Sequence, residues 1–355
     1  MTNGPAPRPP EVSVSAPTEE RHPGTGALDA MSTLELLQTL NAEDALVAPA
    51  VQQVLPQLAA AVDLTVERIR RGGTVHYFGA GTSGRLAVID AAELLPTFNA
   101  PEGLFVAHHA GGPSALVTAV ENVEDDAELG ARDAAPVGPC DVVVGLTASG
   151  RTPYVAGALA AARRRGALTL LVTANPRAEL ADAADLLLAV DTGPEVITGS
   201  TRLKAGTAQK LVLNGFSTAV MVRLGRTWSN LMVDMVATNA KLRGRVIRIL
   251  CEASGADEAE VRAALERADG ELKPALLSLL AGVTAEAART ALEQHRGSVA
   301  QALRCLQAPH DHSRDPDQHD PDPHDPDPHE PDPHHPHRHH PHPHGTAPHE
   351  QETVR

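Results

Sequence analysis

Between Leu28 and Arg71 the apolar positions recur at helical spacing, in two successive patterns. In the second, Val51, Val54, Leu55, Leu58, Val62, Val66 and Ile69 fall three and four residues apart and line one face. The period then changes. Short apolar runs rich in β-branched residues appear at 74–78 (TVHYF), 104–109 (LFVAHH), 141–146 (DVVVGL), 168–173 (LTLLVT) and 186–190 (LLLAV). Helical segments such as 153–165 separate several of them. Strands alternating with helices predict an α/β fold, an open parallel sheet with helices on both faces. Long helical patterns follow at about 201–224 and 228–250. Residues 254–306 hold the amphipathic segments DEAEVRAALERA, ELKPALLSLLAG and TAEAARTALEQH, divided by Gly-containing turns. They predict a small C-terminal all-helical module, whose simplest role is packing or the support of a dimer.

The ends of the chain lack such patterning. Residues 1–17 are Pro-rich and read as disordered, and from Pro309 the chain is low-complexity. The pentads DPDPH, DPDPH and EPDPH repeat through 320–334, and thirteen histidines lie between His310 and His349. With so few apolar residues this tail cannot build a core. Its neutral imidazoles would bind Zn²⁺ or Ni²⁺ weakly. The expected organisation is therefore a disordered 1–17, an α/β domain with N-terminal helices at 18–250, a helical module at 251–308 and a tail at 309–355.

The net charge is −15, and eleven acids against three bases in 310–355 supply −8 of it. An acidic balance excludes a nucleic-acid or anionic-membrane partner. The three cysteines, Cys140, Cys251 and Cys305, are isolated, which suggests neither a disulfide framework nor a zinc site. The N-terminus has no apolar signal region, and no run approaches the ~18 apolar residues of a membrane span. A soluble, cytoplasmic protein is expected, with no resident metal or cofactor.

Candidate chemistry begins where the first strand meets Gly79-Ala80-Gly81-Thr82-Ser83-Gly84, nominally the G-x-G-x-x-G of a dinucleotide site. Such a site needs an acid at the end of the second strand to hold a ribose. Here that strand ends in His108-His109-Ala110-Gly111-Gly112, two histidines that more simply pack or line the cleft. A Walker A lysine is also missing. What the loop does offer is backbone N–H groups, the hydroxyls of Thr82 and Ser83, and a helix N-terminus, a combination that suits a phosphate or a sugar. A second loop, Thr147-Ala148-Ser149-Gly150-Arg151-Thr152-Pro153, follows the third strand. Thr152 reads as an N-cap and Pro153 as a first helical residue. Either loop alone could be an ordinary turn. Two at the carboxyl ends of strands in one sheet predict a ligand there, with one phosphate held by Thr147, Ser149 and Thr152.

These residues carry a resemblance. The paired loops resemble a SIS (sugar isomerase) domain, and over about residues 18–304 the chain is similar to N-acetylmuramic acid 6-phosphate etherases. The similar stretches are TEERHPGTGALDAMSTLELLQTLNAED (18–44), GAGTSGRLAVIDAAELLPTF (79–98), AGGPSALVTAVENVEDD (110–126), TASGRTPYV (147–155), EVITGSTRLKAGTAQKLVLN (195–214) and NLMVDMVATNAKLRGR (230–245). In that family D-A-S-E-C-P-P-T is common where this chain has Asp90-Ala91-Ala92-Glu93-Leu94-Leu95-Pro96-Thr97, which makes the surroundings of the glutamate less polar.

The resemblance implies a homodimer and two catalytic glutamates, Glu93 and Glu124. It also implies removal of the D-lactyl ether of N-acetylmuramic acid 6-phosphate by elimination and water addition. Glu93 falls near the end of a helix, where the dipole suits a proton donor; an exposed helix-end glutamate would look the same. Glu124 lies in an acidic run with Glu121, Asp125, Asp126 and Glu128 that reads as a solvated face, and only the resemblance selects it over Glu121. Ser200 and Lys204, in a further loop after the sheet, are candidates to contact substrate, although Lys204 reads equally well as a surface lysine. Two other functions remain open, a phosphosugar isomerase and a phosphosugar-sensing regulator.

Overall fold

The computed structural model describes residues 16–118, 120, 122–234 and 240–308. The tail, its metal-binding reading and Glu121 lie outside the described residues.

Three helices come first, α1 (Thr33–Asp44), α2 (Val47–Gln52) and α3 (Leu55–Arg70). The second helical pattern of the sequence is thus interrupted at Gln53-Val54, because Pro56 lacks an N–H and starts a new helix instead. The α/β part then runs β1 (Val75–Gly79), α4 (Gly81–Phe98), β2 (Phe105–His109), the short α5 (Ser114–Val117) and α6 (Ala127–Asp133). It continues with β3 (Val142–Leu146), α7 (Pro153–Arg164), β4 (Leu168–Thr173), β5 (Leu186–Ala189) and α8 (Lys204–Arg223). All five strands pair in parallel, in the order β2-β1-β3-β4-β5. Each of the five expected strands is present.

Alternation along the strands builds two cores. Tyr77, Val144 and Leu170 face a cluster with α3, α4 and α8, while Phe78, Val143 and Leu171 face one with α6 and α7. The chain therefore leaves β1 over one face and β3 over the other. Such a reversal opens a crevice at the carboxyl ends of the two strands, and ligands of doubly wound sheets bind there.

After α8 the structure departs from expectation. The pattern at 228–250 is not one helix. Thr227–Trp228 (β6) and Leu231–Met232 (β7) pair as a small antiparallel hairpin, and α9 spans only Ala240–Ser254. Trp228, Thr227 and Val233 favour extended structure, and Ser229 supplies the positive φ (50°) of the tight turn. Then α9, α10 (Glu258–Arg267), α11 (Leu272–Ala281), α12 (Ala285–Gln294) and α13 (Val299–Gln307) share a single core that includes Val246, Leu250, Val261, Leu276 and Val299. Asp257, Thr284 and Ser298 cap three of these helices by accepting from the third residue on. Among the described residues no single helix is long and apolar enough to cross a membrane.

Candidate active site

The crevice is walled by the two loops singled out in the sequence. The first turns sharply enough that a Cβ on Gly84 would lie 2.5 Å from the Gly79 carbonyl oxygen, so only glycine closes it. At the start of α4 the N–H groups of Gly81, Thr82 and Ser83 have no helical acceptor and point out of the helix end. In the second loop Thr147 Oγ1 lies 2.7 Å from Thr152 Oγ1 and 3.3 Å from Ser149 Oγ, and accepts from Gly150 N at 3.2 Å. Gly150 has φ +75° and would place a Cβ 2.4 Å from Ala178 Cβ. Thr147, Ser149 and Thr152 are thereby gathered into one hydroxyl cluster.

One expectation is corrected here. Thr152 is the N-cap residue of α7, but its side chain makes no capping hydrogen bond; the hydroxyl turns to Thr147 instead. Those first-turn N–H groups are consequently not occupied by the cap side chain.

The backbone of Glu124 lies against the start of α7. Tyr154 N, in the first turn of α7, donates to the Glu124 carbonyl at 3.0 Å, and the Glu124 side chain is exposed beside it. The approach is close because Gly130 and Gly157 let α6 and α7 touch backbone to backbone. The segment entering this region is held by Arg85, which donates to the carbonyls of Ala115 and Leu116, both at 2.8 Å. Glu93 lies elsewhere. It is exposed on α4, twelve residues past Gly81, or about 18 Å along the helix. The helix also runs on to Phe98 with Pro96 inside its last turn, where the sequence had suggested an earlier end.

The third wall is the loop before α8. Lys204 is not a surface lysine: it is 2% exposed, and its Nζ donates to Glu43 Oε2 at 2.6 Å. His22 Nε2 sits 3.1 Å from the same carboxylate. The Lys204 ammonium holds the Glu43 carboxyl below its usual range. Glu195 is fully buried and accepts from Lys204 N and Ala205 N at 2.9 and 3.0 Å, so it caps α8 from nine residues away. Burial raises its pKa. Ser200 is half-buried in the same loop. Thr82 approaches α8, where a Cβ on Gly206 would meet its methyl at 3.5 Å. Ser83 is buried and donates to Gln209 Oε1 at 2.8 Å.

The two strand-end histidines pack. His108 stacks on Phe78 with centroids 4.3 Å apart and meets His76 at 3.0 Å, and burial lowers its pKa to about 4. His109 is buried against Gly84 and the carbonyls of Gly81 and Ala110. No group of three or more His, Cys, Asp or Glu side chains suited to a metal occurs among the described residues. A cavity of about 1040 Å³ opens at the opposite, amino-terminal end of the strands. There Arg226 and Lys273 both pair with Asp234, and Arg289 pairs with Asp269 and Glu271.

Comparison with known proteins agrees with this geometry. The glucokinase regulatory protein N-terminal SIS domain matches residues 57–163, and the SIS domain matches residues 116–219. The N-acetylmuramic acid 6-phosphate etherase of Thermobifida fusca (strain YX) is 61% identical over 267 residues, covering 75% of this chain and 88% of that protein. The enzyme of the same name from Pectobacterium atrosepticum is 52% identical over 288 residues, 81% of this chain and 95% of its own. The chain belongs to the N-acetylmuramic acid 6-phosphate etherase family. Among solved structures, a phosphoheptose isomerase from Francisella tularensis is 20% identical, with a TM-score of 0.45 over 54% of this chain and 100% of that one.

Within this etherase fold, sequence reasoning missed Glu43, Glu195 and Gln209. Glu195 and Gln209 lie inside the stretch 195–214 that carries the resemblance, so a signal existed. Glu43 lies inside the similar stretch 18–44 as well, but it stands 161 residues from its lysine, and no local pattern links the two.

Proposed function

We propose that the protein cleaves the D-lactyl ether of N-acetylmuramic acid 6-phosphate, releasing D-lactate and N-acetylglucosamine 6-phosphate. What supports this reading is that the Thr147–Ser149–Thr152 hydroxyl cluster and the free start of α4 follow the adjacent parallel strands β3 and β1, and that the Glu124 carbonyl accepts from Tyr154 N at the start of α7. The hydroxyl cluster and the helix ends, with Ser83 at the start of α4, hold the phosphate, and Thr82 and Ser200 lie around the sugar. In the open-chain sugar the C1 aldehyde acidifies the C2 proton. Glu124 takes that proton as base, and Glu93 protonates the lactate oxygen leaving C3. Water then adds to the unsaturated aldehyde at C3. Each carboxylate contributes roughly 10²–10⁴-fold, and the remote phosphate supplies alignment. Lys204 acts by anchoring Glu43 and the loop of Ser200. No cofactor or metal enters the scheme, and the reaction is cytoplasmic.

The working form is a homodimer. Helix α1 buries none of its residues within the chain, leaving Leu34 and Leu37 exposed, and α4 exposes Ile89 and Leu95. Exposed apolar side chains on α1 and α4, with Glu93 about 18 Å along α4 from the crevice of its own chain, fit a site completed by a second copy.

The test is turnover in deuterated, ¹⁸O-labelled water. The amino sugar gains deuterium at C2 and ¹⁸O at C3, and the lactate gains no ¹⁸O; label in the lactate would end the elimination scheme. Glu93→Gln loses turnover but retains slow C2 exchange, whereas Glu124→Gln loses both and Glu121→Gln stays near wild type. Re-associating the two inactive variants restores activity in mixed dimers, since one site then combines an intact Glu124 with an intact Glu93 from its neighbour. Failure to complement would confine the site to one chain.

A further inference from the structure

The Ser83–Gln209 pair leaves one account unclosed. Gln209 is 2% exposed on α8, and its Oε1 accepts the Ser83 proton at 2.8 Å. Its Nε2 is buried with no acceptor among the described residues. An amide N–H₂ stranded in the interior is costly, and more so than a carbonyl left without a donor. The two ends of a glutamine amide have nearly the same shape, and the hydrogen-bond network decides between them.

Rotating the amide by half a turn gives Nε2 an acceptor, exchanges the stranded N–H₂ for a carbonyl oxygen without a donor, and leaves the Ser83 proton in need of a new acceptor. Nε2 then donates to a lone pair of Ser83 Oγ, and the Ser83 proton is released to point elsewhere. The free direction is the open start of α4, where Ser83 is the third residue and Gly81 and Thr82 present unpaired N–H groups. Gly84 and Gly206 hold the turn of α4 against the strand end and against α8, each with no room or little room for a Cβ.

We propose that Gln209 is a positioning residue for the phosphosugar. With ligand bound, its amide donates to Ser83 Oγ and turns the Ser83 hydroxyl into a donor for the ligand's phosphate. Without ligand, the amide accepts the Ser83 proton, and the pair idles. This rests on the phosphosugar reading of the crevice given above.

The experiment is a double-mutant cycle by titration calorimetry with N-acetylglucosamine 6-phosphate, using unphosphorylated N-acetylglucosamine as the control. Gln209→Met removes the donor at nearly constant volume. It weakens binding of the phosphorylated sugar about tenfold or more, as does Ser83→Ala, which deletes one hydrogen bond to a charged group. The double variant is no weaker than either single one, because Gln209 acts only through Ser83. Losses that multiply to a hundredfold, or a folded Gln209→Met that binds like wild type, overturn the proposal. A wild type that binds both sugars equally, or neither, overturns the phosphosugar reading together with it. Selective ¹⁵N-glutamine labelling gives a readout that needs no variant at position 209. The Gln209 Nε2 resonance shifts on saturating wild type with the phosphorylated sugar and stays in place in Ser83→Ala. An unmoved resonance in saturated wild type overturns the proposal.

Discussion

Gly157→Ala tests whether the contact of α6 with α7 places Glu124. A Cβ built on Gly157 lies 1.8 Å from the Ala127 carbonyl oxygen and 2.7 Å from its carbon, both backbone atoms that no side-chain rotation can clear. Ordinary contact needs about 3.4 Å, so the helices must separate by roughly 1.5 Å along that line. Overpacking of this kind costs about 1–3 kcal/mol, and a backbone obstacle puts it at the upper end. Alanine's better helix propensity returns up to about 1 kcal/mol. A net loss of about 2 kcal/mol follows, readable as a lower urea midpoint at unchanged slope. The functional effect is larger. Tyr154 N and the Glu124 carbonyl are joined across this same contact, so Glu124 shifts against the Thr147–Thr152 loop. A displacement near 1 Å lowers turnover about 10²-fold, with a smaller change in affinity for the phosphorylated product. Gly157→Ala with wild-type stability and turnover would refute both the contact and its role.

Asp90 carries a pH dependence: it is buried between Tyr77 and Ser217, which donate at 2.9 and 3.0 Å, yet burial raises its pKa to about 6. Between about pH 4 and 6 the unfolded chain has released this proton while the folded one keeps it, so Asp90's contribution falls as pH rises, by up to about 3 kcal/mol. Urea titrations should show that slope flattened in Asp90→Asn; the comparison isolates Asp90 from His108, whose lowered pKa acts in the opposite direction, and equal slopes would contradict the assignment. Ser149→Ala is expected to weaken binding of the 6-phosphorylated sugar by about 1.5–3 kcal/mol and leave the unphosphorylated one unaffected, as read by calorimetry. Deleting 309–355 should leave turnover intact and abolish most Ni²⁺ uptake at neutral pH, with binding to the full chain fading below the imidazole pKa of ~6.5; lost turnover in a folded truncation would make the tail part of the enzyme.

The sequence alone determined the strands, the paired loops and the C-terminal helices, because periodicity and turn chemistry are local and short-ranged. It also pointed to the crevice, since two hydroxyl-rich turns after parallel strands have few places to go. The helix expected at 228–250 failed for the complementary reason. Its apolar spacing fits a helix, but Trp228 and Val233 are held by the C-terminal core, and tertiary packing overrode the period. The partners of polar side chains were decided by the fold alone. Lys204 is equally plausible at a surface or in a site until α1 delivers Glu43 across 161 residues, and Ser83 is a free hydroxyl until α8 presents Gln209. Acidic runs show least of all. The Glu124 backbone is tied to α7 by one hydrogen bond, at a close approach that two glycines in separate helices allow. Long-range pairing of this kind has no signature along the chain, because the physics that selects it is the packing of elements that meet only in three dimensions.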